Sequence, residues 1–215
     1  MNSTEPAAIT ETRLLHKMHR AATSLLADAA RRDTAPPAAL AELRDFLVAT
    51  LRHHHESEDG VIWPQLIAAD PEAGAGLAEL STEHDALDAA LDSLAALPVR
   101  DDADRPGLAA AAATVRDLVH THLEHEEPVL FPALAVHMTD EAWAEFSRAV
   151  IASAPPVGVH LNIGFFEQVG TPAELEVVMA YLPEAALAHV PAMSEQARAT
   201  LAVLQATEAG GTVTA

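Results

Sequence analysis

The amino-acid sequence predicts an all-α protein, an up-down four-helix bundle with a C-terminal helical extension. Half of the 215 residues are hydrophobic but only 4% are aromatic, and alanine and leucine dominate. These residues favour helices, whereas the β-branched and aromatic runs typical of strands are scarce. Proline and glycine divide the chain into helix-length segments with short connections, which favours an up-down bundle.

Four amphipathic segments are predicted to form the bundle. Each ends where proline, glycine or a charged loop interrupts the 3.6-residue period. They cover about residues 10–32, 38–64, 77–97 and 107–127. The fourth is expected to end at Pro128 and Pro132, because proline lacks the amide hydrogen that a helix interior needs.

The remainder of the chain is predicted to be a separate helical extension. A fifth helix is expected at about 139–153, followed by a loop with Phe165 and Phe166 and by short helices at about 172–182 and 193–206. The predicted division is therefore a bundle over residues 1–137, the extension over 138–205 and a disordered tail over 206–215.

Charge and cysteine content exclude several classes of function. The formal charge is −20, with only 12 lysines and arginines, so nucleic-acid and anionic-membrane binding are not expected. There is no cysteine, which excludes disulfides, thiolate zinc sites and iron–sulfur clusters. The first ten residues lack the pattern of a secretory signal, and no apolar run is long enough to span a bilayer, so we expect a cytoplasmic protein.

Histidine is the unusual component. The chain has 12 histidines, and most of them fall in four tight groups in its first 125 residues. The groups are His16 with His19, His53 to His55, His84 alone, and His120 with His122 and His125.

Two of these groups belong to an internal repeat. The segment from His54 to Pro64 aligns with that from His122 to Pro132, sharing H-x-x-x-E-[DE]-x-V-[IL]-[WF]-P at an offset of 68 residues. At an offset of 65, His19 aligns with His84. The repeat predicts a pseudo-twofold bundle with two half-sites facing each other.

Helical phase selects the residues that face the core. Residues four apart share one helix face, and each residue turns by about 100°. Six residues then lie on apolar stripes, namely His19, His54, Glu58, His84, His122 and Glu126. Burying two carboxylates costs several kcal/mol without a counter-charge, and a metal pair would supply it. Imidazole and carboxylate suit iron, manganese or zinc.

For several residues near the six predicted ligands, the sequence allows two interpretations. His16 is expected at the surface or supporting a ligand, and we prefer His19 as the first-helix ligand. His53, His55, His120 and His125 lie off the stripes and are interpreted in the same way. Asp59 and Glu127 either orient the ligands or are solvated. His137, His160 and His189 stand alone and are interpreted as structural.

The ordered pattern of His19, His54-x-x-x-Glu58, His84 and His122-x-x-x-Glu126 resembles the hemerythrin-like HHE cation-binding family. The resemblance covers about residues 10–135. It implies a four-helix bundle with two iron ions joined by an oxo or hydroxo bridge, with Glu58 and Glu126 bridging as well.

The chain departs from the oxygen-carrying hemerythrins at two positions. Those proteins have H-x-x-x-H on the third helix, where this chain has His84 and Asp88, and an aspartate where it has Glu126. A fifth histidine is thus lacking unless His16 supplies it. Asp88 is either a solvated or helix-pairing aspartate or, if it faces the metal, a catalytic residue that accepts or delivers a proton. We predict the catalytic role, which argues against simple oxygen carriage.

Three functions follow as hypotheses. The first is a di-iron protein that senses or stores O2, NO or iron. The second is a di-iron enzyme that consumes peroxide or acts as an oxidase. The third is a structural helical protein with adventitious metal. The expected partners are small molecules, and the sequence names neither a substrate nor an oligomeric state.

Overall fold

The computed structural model describes residues 5–71 and 74–207, and within those ranges the protein is all-helical, with no strand. The predicted all-α class is therefore confirmed. The α-helices are α1 (Ala7–Ala29), α2 (Pro37–Ser57), α3 (Trp63–Ala69), α4 (Gly74–Ala95), α5 (Arg105–His137), α6 (Asp140–Ser153), α7 (Val159–Val169), α8 (Pro172–Met179), α9 (Glu184–Leu187) and α10 (Val190–Gln205). A π-helical turn, Glu58–Ile62, joins α2 to α3.

Four long helices surround a common core. α1 packs against α2 and α5, and α4 packs against the same two helices on the other side. Of the extension, α7 and α10 pack on each other and on α1 and α2. Among the residues that the structure describes, no helix combines the length and apolar character needed to cross a membrane.

The core consists of two hydrophobic clusters. The larger cluster uses the middle and C-terminal half of α1, most of α2, the end of α4 and the beginning and middle of α5. The smaller cluster uses the start of α1, the residues after α2, the start of α4 and the end of α5. On each of the four helices, the histidines and glutamates that bear on function lie where one cluster gives way to the other.

The predicted end of the fourth helix was wrong. α5 passes through Pro128 and Pro132 and ends at His137. Both prolines are exposed, so the carbonyls that they leave without an amide partner can bond to water. Meanwhile Leu130 and Leu134 are buried in the smaller cluster, and their packing offsets the lost hydrogen bonds.

The loop predicted around Phe165 and Phe166 is a helix, α7. A Cβ on Gly164 would lie 2.5 Å from Cβ of Ala197, so this glycine allows α7 and α10 to approach closely. Phe165 is buried and its ring stacks on Phe46 with centroids 6.0 Å apart. Of the predicted tail, residues 208–215 lie outside the described part of the chain.

Candidate metal centre

A layer of buried polar side chains separates the two hydrophobic clusters. Each of its members has at most 7% of its surface exposed. They are His16, His19, His54, His55, Glu58, His84, His122 and Glu126. Polar groups buried to this degree cost several kcal/mol unless they find a partner, so the layer requires a compensating interaction.

One group of these side chains converges on a single point. One ligand atom from each of His16, His54, Glu58 and Glu126 can be chosen so that all lie within 4.8 Å of one another. Nε2 of both histidines, Oε2 of Glu58 and both oxygens of Glu126 are buried without a hydrogen-bond partner. Unpartnered nitrogen and carboxylate oxygen atoms that face each other fit a metal ion of the iron, manganese or zinc type.

Two further histidines of the layer approach the same glutamates. Nε2 of His84 is 3.5 Å from Oε2 of Glu58, and Nε2 of His122 is 3.3 Å from Oε2 of Glu126. The two Nε2 atoms lie 3.1 Å apart. Glu58 and Glu126 thus each have histidines of both halves of the repeat near their oxygens.

An outer set of carboxylates holds the histidine rings. Nδ1 lies 2.9 Å from a carboxylate oxygen in His55, His84 and His122, and 3.1 Å in His16. A ring that donates Nδ1–H to a carboxylate keeps Nε2 unprotonated and aimed inward, as in many metal-binding histidines. His55 is paired with Asp88, His84 with Asp59, His122 with Glu83 and His16 with Glu127.

The internal repeat explains two of these pairs. Asp59 and Glu127 each follow one of the two glutamates of the layer, and each holds a histidine ring of another helix. The rings are His84 and His16, which are 68 residues apart, the same offset as the H-x-x-x-E motifs. The acid after each glutamate therefore has the same contact in both halves, which supports the interpretation that these two acids orient the rings.

The structure brings all six sequence-predicted metal ligands into the layer. His19, which we preferred to His16 from sequence, is fully buried with neither ring nitrogen partnered, and its ring centroid is 4.9 Å from that of His54. Asp88 lies beside His55 rather than among the converging atoms, and 49% of its side chain is exposed.

Burial and close neighbours shift the acidity of the layer. Burial, the adjacent Glu126 and Asp59 together raise the pKa of Glu58 well above its usual value. Burial also favours neutral Glu126, but His16 and His122 outweigh it and lower the pKa of Glu126. The two carboxyls of this pair therefore differ in acidity, and a bound cation would favour the ionised form of both.

The histidines show the same competition between burial and charge. Burial, with the neighbouring histidines, lowers the pKa of His19 and of His54 well below the usual value. Burial lowers the pKa of His55 to about 4 despite Asp88. In His122 burial acts in the same direction, but Glu126 and Glu83 raise its pKa overall. A neutral ring binds a cation more readily than a protonated one, so the burial of His19, His54 and His55 favours metal binding.

The family of the chain is decided by a match to a family model that covers the bundle and the start of the extension. A model described as the hemerythrin HHE cation binding domain matches residues 10–145, which is more than half of the chain. The chain belongs to the hemerythrin HHE family. The predicted resemblance is thereby confirmed, and this HHE protein has a histidine and glutamate group that could hold a metal ion. Searches of curated proteins and of solved structures found no match.

Sequence reasoning left His16 open as a further ligand of this HHE domain's centre and did not single out His55 or Glu83. His16 is within the converging group, and the exact 68-residue offset from His84 is the signal that could have found it. His55 is buried and stacks on His84 with ring centroids 4.3 Å apart, although its helical phase lies off the stripe. Glu83 holds both His122 and His125, and no sequence signal distinguished it from other glutamates.

Proposed function

We propose that this HHE protein binds two iron ions per chain and that the pair reacts with O2 and peroxide. The observation that carries the proposal is the set of buried, unpartnered nitrogen and oxygen atoms that converge from both halves of the repeat. When bound, the iron pair would supply electron exchange with these small oxidants. The family assignment supports a cation in this place.

The proposed ligands are the six residues predicted from sequence, His19, His54, Glu58, His84, His122 and Glu126. The distances support the addition of His16, whose Nε2 is 3.7 Å from Oε2 of Glu126. Glu58 and Glu126 would be shared between the ions, because each has histidines of both half-sites around it. The outer carboxylates orient the rings and raise their basicity.

The helix directions and domain limits belong to the same proposal. We infer an up-down-up-down bundle for α1, α2, α4 and α5. The order of the two clusters along each helix supports it, since α1 and α4 start in the smaller cluster whereas α2 and α5 start in the larger one. We keep the division into a bundle over 1–137, an extension over 138–205 and a tail over 206–215.

Consumption of peroxide is the activity we propose for the centre. Two molecules of peroxide convert to O2 and two of water without a further reductant, so the centre needs no second substrate. The chain's own part is to bind the ions, to orient the reactants and to exclude water. The two hydrophobic clusters enclose the layer of buried polar residues that does so. A carrier would instead need to retain O2 unchanged.

Asp88 is the proposed route for protons. Its carboxylate touches Nδ1 of His55 at 2.9 Å, and about half of its side chain faces solvent. A proton can therefore pass between water and the buried ring through this one carboxylate. We expect Asp88→Asn to slow peroxide consumption and change its pH profile, with iron content retained. Asp85→Asn, on the exposed side of the same helix, is the matched control and should change neither.

The proposal is tested by exposing the reduced, iron-loaded protein to O2 and to peroxide. We expect oxidation that degassing does not reverse, together with peroxide loss that depends on bound iron. Reversible oxygenation spectra without peroxide loss would place the protein among carriers or sensors instead.

A further inference from the structure

A cavity of about 420 Å³ lies between the bundle and the C-terminal extension. Its volume is within the range of about 300–1,000 Å³ that is typical of small-molecule sites. α1, α2 and α5 line it on the bundle side, and α6 to α10 line it on the other. The extension, which has no part in holding the proposed ions, therefore forms one wall of a site.

The walls of the cavity include both surface residues and residues of the metal centre. Ala152, Ala154 and Val159 line it and are exposed. His54 and Glu58 also line it, and they are buried and belong to the converging group. A molecule in the cavity would therefore contact two proposed ligands of the centre.

The walls select for an apolar molecule. Most of the lining side chains are aliphatic or aromatic, and they come from every helix around the cavity except α2, whose lining residues are polar. Representative members are Leu15, Ile62, Leu130, Phe146, Ile163 and Phe166. Covering such walls with a hydrocarbon chain removes apolar surface from water on both partners, which stabilises the complex.

The charges of the cavity select against an acid. Among the described residues that line it, none is lysine or arginine, and two, Glu11 and Glu58, are carboxylic acids. Trp143 Nε1 and Ser147 Oγ each donate a 2.7 Å hydrogen bond to Glu11 and so fix an acceptor in the wall. In the metal-free protein a carboxylate ligand would lose its hydration and meet no lysine or arginine in these walls.

We propose that this cavity binds an uncharged molecule with an aliphatic chain, such as a medium-chain alcohol or aldehyde, and presents it to the metal centre at His54 and Glu58. The second half of this statement rests on the proposed function, and it adds an organic molecule that binds beside a centre able to consume peroxide alone. The first half, binding in the cavity, does not depend on metal.

Binding is tested on the full-length metal-free protein with N-phenyl-1-naphthylamine, a neutral apolar dye that fluoresces in dry sites. We expect it to bind and n-alkanols to displace it, with affinity rising about fourfold for each CH2 from hexanol to decanol. Decanol should displace it at least tenfold more strongly than decanoate at pH 8. Absence of dye binding, no dependence on chain length, or equal displacement by decanoate would overturn the proposal.

Filling the cavity locates the site. Val150→Trp and Ala186→Trp each place an indole in the lining, and each should weaken dye and decanol binding at least tenfold. Val136→Trp is the matched control, since Val136 is 75% exposed and outside the cavity, and it should bind as the wild type does. Unchanged binding in whichever filling variant retains the wild-type circular dichroism spectrum would show that the dye binds elsewhere.

Contact with the centre is tested on the iron-loaded protein by optical spectroscopy. Saturating decanol should shift the iron bands in the wild type and leave them unchanged in Val150→Trp. Unchanged bands in the wild type, at decanol concentrations that displace the dye, would overturn presentation to the centre. Failure to bind iron at all would reject the proposed function and leave decanol binding to be judged by the dye alone.

Discussion

Nε2 of His84 and Nε2 of His122 face each other at 3.1 Å inside the bundle, on helices α4 and α5. Each ring is held from behind through Nδ1, by Asp59 and Glu83 respectively. If both rings donate Nδ1–H, both Nε2 atoms are acceptors, and two acceptors at this distance repel each other. A proton on one Nε2 removes the conflict in the metal-free protein, and a metal ion held by both rings would remove it in the loaded protein.

Removal of a ligand from either half should therefore cost both metal and stability. We expect Glu58→Ala and His122→Ala each to lower the iron content below two per chain and to reduce the thermal midpoint of the loaded protein, because the ions connect four helices. Metal analysis and calorimetry measure the two effects. His125→Ala, which removes an exposed ring beside Glu83, is the control. Retention of both irons by Glu58→Ala and by His122→Ala would contradict the ligand assignment.

The first helix offers two histidines, and separate variants distinguish their roles. We expect His19→Ala to lose iron, as predicted from sequence, and His16→Ala to lose it too, because His16 is in the converging group. Iron stoichiometry after gel filtration is the measurement. Loss in His16→Ala alone would make His16 the only first-helix ligand. Loss in His19→Ala alone would leave Glu126 and Glu127 as the groups that position His16.

The carboxylates behind the rings should tune affinity without binding metal. Glu83→Gln is expected to weaken metal binding by about 10- to 100-fold, since the amide holds the ring of His122 less strongly. A chelator competition titration measures this change. Glu79→Gln, one turn earlier on the exposed face of α4, should have the wild-type affinity. Equal affinity in Glu83→Gln and Glu79→Gln would show that Glu83 is incidental.

Acid should destabilise the metal-free protein through His55. Its folded pKa is about 4 because the ring is buried, against about 6.5 when the chain is unfolded. The unfolded state therefore binds more protons below pH 6.5, and the stability that the neutral ring contributes is lost as pH falls towards 4. Between pH 7 and pH 5 the wild type should lose about 2 kcal/mol more unfolding free energy than His55→Gln.

Urea titrations of both proteins at the two pH values provide this comparison. The two proteins are compared because Glu58, whose pKa is raised, also contributes to the pH dependence. Its contribution changes the free energy of unfolding in the opposite sense between pH 7 and pH 5, and it is present in both proteins. An equal loss in wild type and His55→Gln would show that the His55 ring is not held neutral by burial.

The sequence predicted the helical class and the six candidate ligands because both depend on local periodicity. It failed where neighbouring helices decide the outcome. His55 lies off the stripe of α2, yet it is buried, since α2 is flanked by α1 on one side and α4 on the other. Pro128 and Pro132 indicated a helix end, but both face solvent while the opposite side of α5 packs in the core.

The position of Asp88 shows the same limit. Its helical phase, close to that of His84, favoured a place facing the metal ions. The structure puts its carboxylate against His55, a residue of another helix whose burial the sequence did not predict. Pairings between helices depend on the interhelical packing, and the cavity between bundle and extension depends on it as well. Neither leaves a periodic signal in one chain.

The most direct test of the central claim is metal analysis of the iron-loaded protein after a chelator wash, with optical spectra recorded alongside. Convergence of buried ligand atoms from both halves of the repeat predicts two tightly held irons per chain, and spectra that change on reduction. Less than about one tightly held ion per chain, with the helical fold intact, would contradict the account and leave the buried histidines and glutamates as a structural layer.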